Sequence, residues 1–293
     1  NFTSIPNSAL VHDTIGLGSD SVALGDTLSA LDGLTYVAVT QDPTTALQLA
    51  TKQYVDNQVS AGLDIHPSVV NDADTNLSAT YTVGGTTAPN LTQITGGKVL
   101  HTDGNPHGLA LNDTVVFGTT TNGLIAGKAY FVVSLDSTTT FQVSAAWQGT
   151  ALSSLTNGSG LSVTINVNPG VGATLTSTSN GPLTIESYTA ALNDRILVHG
   201  QSTSSQNGAY YVSQVGVAGG GGSPWILTRA LDANTYQPNV ATALDAGAYF
   251  LVTDGSDQGE AYVLSTTGAL AIGYTNLTFS KFSQPLTYSA GTG

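Results

Sequence analysis

Two short stretches concentrate the side chains that could do chemistry. His101-Thr102-Asp103-Gly104-Asn105-Pro106-His107 places two imidazoles and a carboxylate in one loop, and such groups are suitable metal ligands. Their spacing follows no metal motif, and Gly104 and Pro106 read as turn residues, so no metal is assigned there. Asp254-Gly255-Ser256-Asp257-Gln258-Gly259-Glu260 carries three carboxylates in seven residues. It lacks the full spacing of a calcium loop, and a solvated hairpin loop accounts for it better. No cofactor is expected.

Nucleophilic catalysis finds no support. The chain has no G-x-S-x-G elbow and no Cys, and its His residues sit in turns or beside strand ends. Paired carboxylates for glycosidic cleavage would meet only in the fold. Gly219-Gly220-Gly221-Gly222 is followed by no Lys-Ser/Thr and no helix, so it reads as a hairpin tip rather than a phosphate loop. The 12 Tyr are the conspicuous aromatics. At loop tips Tyr and Trp can stack on sugar rings; in strands they are more often core or cross-strand residues. No catalytic residue is assigned, and no enzyme is expected.

Composition narrows the partners. Charged residues make up 9% of the 293, against roughly 25% in an ordinary soluble domain. Their place is taken by Thr, Ser, Asn and 34 Gly, a composition that suits a stable, inert surface outside a cell. The formal net charge is −13, and no basic patch could hold phosphates, so nucleic acid and anionic membranes are poor partners. Only Glu186 and Glu260 are Glu; the other acids are Asp, which favours turns and caps. The absence of Cys excludes disulfides and thiolate metal sites. The absence of Met implies that Asn1 is not a natural start and that the chain is processed or part of something longer. No apolar run reaches membrane-spanning length.

One helix is expected, over residues 42–62. Asp42 suits its N-cap, Pro43 its first turn and Gly62 its C-terminal stop. Leu47, Ala50, Tyr54, Asn57 and Ala61 follow a 3-4-3-4 spacing, a coiled-coil seam about two heptads long. A helix this short is marginal alone. It either docks on its own domain or meets copies of itself, and Asn57 in the seam favours copies from several chains meeting along it.

The remainder reads as strands and turns: an all-β chain of short sandwich or barrel domains. Residues 1–41 are apolar pulses broken by Gly, read as intertwined strands or a shaft leader. Residues 63–85 and 169–282 form a split β domain, 86–168 an inserted β domain between Gly84-Gly85 and Pro169-Gly170, and 283–293 begin a further shaft segment. The insert is expected to project with few apolar contacts to its host. A weak repeat runs through both: Leu111-Asn112-Asp113 before Ala129-Tyr130, Leu192-Asn193-Asp194 before Ala209-Tyr210, and Leu244-Asp245 before Ala261-Tyr262. Each is a strand, a polar loop and a return strand.

Several stretches together carry a resemblance. They are the helix from Asp42-Pro43 through Lys52-Gln53-Tyr54-Val55-Asp56 to Gly62-Leu63-Asp64; Gly170-Val171-Gly172-Ala173-Thr174-Leu175; Asn180-Gly181-Pro182-Leu183-Thr184-Ile185; Asp194-Arg195-Ile196-Leu197-Val198; Asn207-Gly208-Ala209-Tyr210; Trp225-Ile226-Leu227-Thr228-Arg229-Ala230; and Leu277-Thr278-Phe279. In this order they resemble a module of tail-fibre and related virion structural proteins of tailed bacteriophages. In that family a strand like Thr80-Tyr81-Thr82-Val83 runs straight into the Gly-Val-Gly-Ala-Thr-Leu segment; here residues 86–168 intervene. The resemblance implies an elongated, homotrimeric, non-enzymatic part of a virion tail, extracellular, contacting other tail or baseplate proteins. The first expectation is therefore a fibre segment linking the tail to a host-recognition tip. The second is a module that binds host-surface carbohydrate, and the third, ranked last, is a tail-associated polysaccharide depolymerase.

Overall fold

The computed structural model describes residues 14–17, 19–23 and 64–283. The helix expected over 42–62, with Leu47, Ala50, Tyr54, Asn57 and Ala61, lies outside the described residues, as does the segment from 284 onward. Within them the chain is nearly all β, and its only helical elements are two 3-10 turns, Ser204–Gln206 and Leu231–Ala233.

The chain divides into two compact units. In the first, β1 (Thr14–Leu17) and β2 (Asp20–Ala23) pair antiparallel, from Thr14 opposite Ala23 to Leu17 opposite Asp20. Two of the N-terminal apolar pulses thus pair with each other inside one chain.

The second unit contains a closed barrel. Its strands are β6 (Thr86–Thr95), β7 (Val99–Thr102), β8 (Thr114–Phe117), β9 (Ala129–Leu135), β10 (Thr140–Ser144) and β11 (Gly158–Val167), in the order β10-β7-β6-β11-β8-β9. Closure leaves no free sheet edge to recruit another chain. Leu91, Leu100, Phe117, Tyr130, Phe141 and Ile165 fill its interior. Along β6 the buried residues are Ala88, Leu91 and Ile94, every third rather than every second. The cause is a run of register shifts: β6 slips against β7 between Leu91 and Gln93, and β11 slips against β6 on both sides of Val163. Such bulges bend strands around a barrel corner.

The host of this barrel has two sheets. The larger joins β4 (Asn71–Ala73), β5 (Ala79–Thr82), β12 (Thr174–Ser177), β15 (Arg195–Val198), β16 (Gly208–Gln214) and β17 (Ile226–Arg229) in the order β4-β15-β16-β17-β12-β5. The smaller joins β3 (Asp64–Ile65), β18 (Ala248–Leu251), β19 (Ala261–Leu264) and β20 (Phe279–Ser283) in the order β20-β19-β18-β3. A short ribbon, β13 (Thr184–Ile185) with β14 (Tyr188–Thr189), lies apart from both. One segment stitches the sheets. Residues 64–73 pair parallel with β18, then at Val69 with Val252, then with β15. Alternation sends Leu197 and Ala209 into a core with Phe250, Leu264 and Leu270 of the smaller sheet's side. The intervening Ile196, Val198, Tyr210 and Val212 pack on the opposite face with Leu183, Ile185 and Trp225.

Barrel and host meet along an apolar seam. Strand β8 is buried on both faces, and so is β9 up to Val132, because Val115, Tyr130 and Val132 face the barrel core while Val116, Ala129 and Phe131 face outward onto Ala271. Trp147, Tyr236, Ala269 and Tyr274 pack around them. The joint thus carries more apolar contact than a projecting insert was expected to make. The two connecting strands also run side by side, with Gly84 N–H donating to Pro169 O at 2.9 Å and Gly85 N–H to Val171 O at 2.6 Å. A Cβ at Gly84 would stand 2.1 Å from the Val171 carbonyl, so the close approach demands glycine. Ends held together in this way add little loop-closure entropy to the host.

The repeat has a common geometry. In Ala110-Leu111-Asn112-Asp113 and in Ala191-Leu192-Asn193-Asp194 the third residue has positive φ, 71° at Asn112 and 70° at Asn193. In both, the Asp carboxylate accepts the amide of the first Ala at 2.7 Å. The following strands pair identically, with Val115 opposite Tyr130 and Ile196 opposite Tyr210. The third copy is displaced from where Leu244-Asp245 would put it. Its turn is Asp245-Ala246-Gly247-Ala248, with Gly247 at φ 95° and Phe250 opposite Tyr262.

Candidate functional site

The two chemistry-bearing loops do not gather into sites. His107 accepts the Leu109 amide on Nδ1 and donates from Nε2 to Ser137 O, at 3.0 and 2.9 Å, while its ring edges against Phe141. His101 Nε2 bonds Thr95 Oγ1 at 2.7 Å, and Asp103 caps its own turn through Asn105. In the other loop the carboxylates diverge. Asp254 accepts the Gly255 amide, whereas Glu260 turns inward, accepts the Tyr262 hydroxyl and pairs with Lys281. Burial, then the charges of Asp72, Glu260 and Glu186, push the Asp257 carboxyl up. Among the described residues no group of three or more His, Cys, Asp or Glu is placed to hold a metal ion, and no helix is long and apolar enough to cross a membrane. Gly219–Gly222 is a turn tip between the bridged residues Val217 and Ser223.

Two titratable networks lie inside the host. In the first, His66 is held between Asp232 Oδ2 on Nδ1 and Asp64 Oδ2 on Nε2, both at 2.9 Å, and stacks on Phe250. Arg195 forks onto the two oxygens of Asp232 at 2.8 and 2.9 Å. Burial raises the Asp232 carboxyl, but the bonds from His66 and Arg195 outweigh it and hold the group at about 2. In the second, His199 Nε2 bonds Asp72 Oδ2 at 2.8 Å and its ring lies 4.5 Å from that of Tyr262. Burial pushes the Tyr262 hydroxyl up, and the neighbouring Asp72 and Glu260 push it further. A catalytic base needs a ring nitrogen free to face a substrate. Both nitrogens of His66 are occupied, and its side chain is fully buried. In the second network Nε2 of His199 is likewise taken up by Asp72, and the Tyr262 hydroxyl beside them donates to Glu260. These networks pin the 64–73 segment to β15 and to the 231–233 turn.

The arrangement that faces solvent lies at the joint. A cleft of about 190 Å³ is lined by Leu111, Asn112, Asp113, Thr114 and Asn168 from the barrel and its exit, by Trp147 from the loop after β10, and by Thr235, Tyr236 and Gln237 from the host. The hairpin turn fixes its polar wall. Asn168 donates to Asp113 Oδ1 at 2.8 Å and accepts the Thr114 amide at 2.9 Å. Its aromatic wall is braced from beneath: buried Phe131 lies 5.4 Å from Trp147 and 5.5 Å from Tyr236, and these two rings meet edge-on at 6.3 Å. Burial raises the Tyr236 hydroxyl, with Asp245 adding to the shift. Trp147 and Tyr236 remain half-buried, each with one side toward the cleft.

No protein-family model, curated protein or solved structure matches the chain. The cleft is therefore read from its own chemistry. It offers aromatic surface, neutral amides and a single carboxylate that is already satisfied, and no cation. This lining can hold an uncharged, hydroxyl-rich ring and cannot neutralise a phosphate. Only one part of it had a signal in the sequence. The Leu-Asn-Asp repeat marks the turn, and Trp147 in the polar stretch Ala146-Trp147-Gln148-Gly149 is a large aromatic where no core strand needs one. Tyr236 and Gln237 lie about ninety positions beyond Trp147 and join only through the fold.

Proposed function

We propose that this chain is a non-catalytic structural segment of a bacteriophage tail fibre, homotrimeric and extracellular, linking the tail to a host-recognition tip. One observation carries the reading. Four of the stretches that resemble the tail-fibre module, separated in sequence, fall on neighbouring strands of one sheet, β15, β16, β17 and β12, while Asn180–Ile185 reaches the short β13 ribbon and Leu277–Phe279 the smaller sheet. The strand that would precede them in the uninterrupted module, β5, pairs directly with β12 although the whole barrel lies between them in sequence. The resemblance thus follows a folded unit. The closed barrel and the charge-poor, Thr- and Ser-rich composition suit a rod that must not aggregate. Partners on this reading are copies of the chain and neighbouring tail or baseplate proteins. The test is the native mass of the purified chain with antibody labelling of intact particles. Trimer mass and labelling along tail fibres are expected; a monomer at micromolar concentration, or labelling elsewhere, would overturn it.

A second reading, a module that itself binds host-surface carbohydrate, is favoured by the aromatic cleft with Trp147 and Tyr236 at the joint.

A further inference from the structure

We infer that the joint cleft is a binding site for one uncharged sugar ring of a longer saccharide, seated between Trp147 and Tyr236 and the polar wall of the 110–113 turn. This deepens the second reading above and rests on it. The size is the first argument. About 190 Å³ is smaller than the roughly 300–1,000 Å³ of enclosed small-molecule sites. Open to solvent, such a cleft suits one ring of a chain that continues beyond it.

The lining is the second argument. A pyranose presents apolar C–H faces and a girdle of hydroxyls. Aromatic rings match the faces, and neutral amides match the hydroxyls because each amide both donates and accepts. Trp147 and Tyr236 supply rings; Asn112 and Gln237 supply amides; Thr235 supplies a hydroxyl. No Lys or Arg lines the cleft, and the chain as a whole carries −13, which disfavours anionic sugars and phosphates.

Preorganisation is the third. Asp113 and Asn168 bond each other and the backbone, so the polar wall is rigid before any ligand arrives. Phe131 braces both aromatic rings from behind. Rigid walls lower the ordering cost of binding. Because barrel and host each contribute lining, a seated sugar also bridges the two.

The chain carries its own reporter. Of its two Trp, Trp225 is buried in the host core and Trp147 lines the cleft. Full-length Trp225→Phe protein would be titrated with maltotriose, lactose, N,N′-diacetylchitobiose and rhamnose, each to about 50 mM, enough to detect millimolar affinity. In parallel, wild type, Gln237→Ala and Trp147→Ala would be applied to an array of bacterial-surface glycans. The expected result is a saturable change in Trp147 emission with at least one sugar, weakened about fivefold by Gln237→Ala, as the loss of one hydrogen bond dictates. Array binding lost in Trp147→Ala would agree. Glycan binding that is unchanged in both variants would overturn the cleft while leaving the carbohydrate reading in place. No binding to titrant or array would overturn both. The array uses the wild type, so poor folding of Trp225→Phe does not rescue the proposal.

Discussion

Phe131→Ala should undock the barrel from its host without emptying the barrel. Phe131 is fully buried, yet it belongs to the outward face of β9, while its neighbours Tyr130 and Val132 fill the barrel interior. Its ring touches Trp147 and Tyr236 at centroid distances of 5.4 and 5.5 Å. Burying a Phe side chain contributes about 1.5–3 kcal/mol, and two aromatic pairs add about 0.5–1.5 kcal/mol each. The sum, about 4 kcal/mol, agrees with the roughly 3–5 kcal/mol measured for Phe→Ala at buried sites. For a unit of this size each kcal/mol moves Tm by about 2–4 °C, so a fall of about 8–16 °C is expected. Calorimetry should show the single transition splitting in two. Hydrogen exchange should rise in the 234–237 and 269–275 loops, while β8 and β11 keep slow amides. Phe117→Ala, which hollows the barrel from inside, is the control and should lose that protection. The reasoning is refuted if Phe131→Ala strips the barrel strands of protection as Phe117→Ala does, or shifts Tm by less than about 3 °C.

Asp232→Asn should cost about 2–3 kcal/mol near neutral pH, because it leaves His66 and Arg195 facing a neutral amide. The folded carboxyl sits at about 2 against an ordinary 3.8. Its stabilisation, about 2 kcal/mol, is therefore full above about pH 4 and lost as pH falls toward 2; urea midpoints of wild type and variant should converge across that window, and a constant gap down to pH 2 would refute the assignment. Gly208→Ala places a Cβ 2.1 Å from Nη1 of Arg229, at a φ of 141°. That guanidinium is fully buried, bonds Asn207 O and lies 4.7 Å from the Tyr210 ring, so it cannot swing aside. A loss of about 3 kcal/mol in urea unfolding is expected, recovered only in part in Gly208→Ala/Arg229→Met, where a flexible side chain relieves the clash but the strain of Ala at that φ and the loss of the bond to Asn207 remain. Replacing residues 86–168 by a short Gly-Ser linker should leave a folded host of unchanged subunit number by light scattering, since Gly84 and Pro169 are already hydrogen-bonded neighbours; adding Tyr236→Ser and Tyr274→Ser should cure any aggregation from the uncovered seam.

Strand positions were legible wherever burial follows simple alternation or both faces are apolar. Thr114–Phe117, Arg195–Val198 and Ala261–Leu264 announce themselves as β-branched and aromatic runs. Strand β6 was not legible: Thr-Thr-Ala-Pro-Asn-Leu-Thr-Gln-Ile-Thr contains Pro89, and bulges give it a burial period of three. Strand β4 was hidden for another reason. Asn71 and Asp72 read as a turn, yet they are buried in a parallel pairing with β15, where Asn71 Oδ1 accepts the Asp72 amide and Asp72 pairs with His199. The candidate cleft was the least legible feature, because its two walls come from units that the sequence reads as separate. The aromatic seam escaped for the same reason: Phe131 alternates with core residues of its own barrel and gives no local hint that its face is also covered.

The repeated hairpin shows what the sequence repeat encodes. Each return strand carries a Tyr directly after an Ala, at 130, 210 and 262, and each Tyr is buried. Each hydroxyl closes the loop just upstream, but with a different partner. Tyr130 accepts the Ile125 amide at 2.9 Å, Tyr210 donates to Gln206 O at 2.5 Å, and Tyr262 donates to Glu260 at 3.1 Å. A phenol can do this because it both donates and accepts, so one residue serves loops of different length and polarity. The turn is equally tolerant: Asn112, Asn193 and Gly247 all reach positive φ, which few other residues do cheaply. The third copy keeps the geometry with Ala248 where the others have Asp113 and Asp194. What recurs is a requirement for positive φ and a buried, bifunctional hydroxyl, not a fixed set of letters. The positive φ and the partner of the hydroxyl both lie within the hairpin, while the burial comes from whichever core the hairpin packs on. The same unit can therefore build a closed barrel in one place and a face of an open sheet in another.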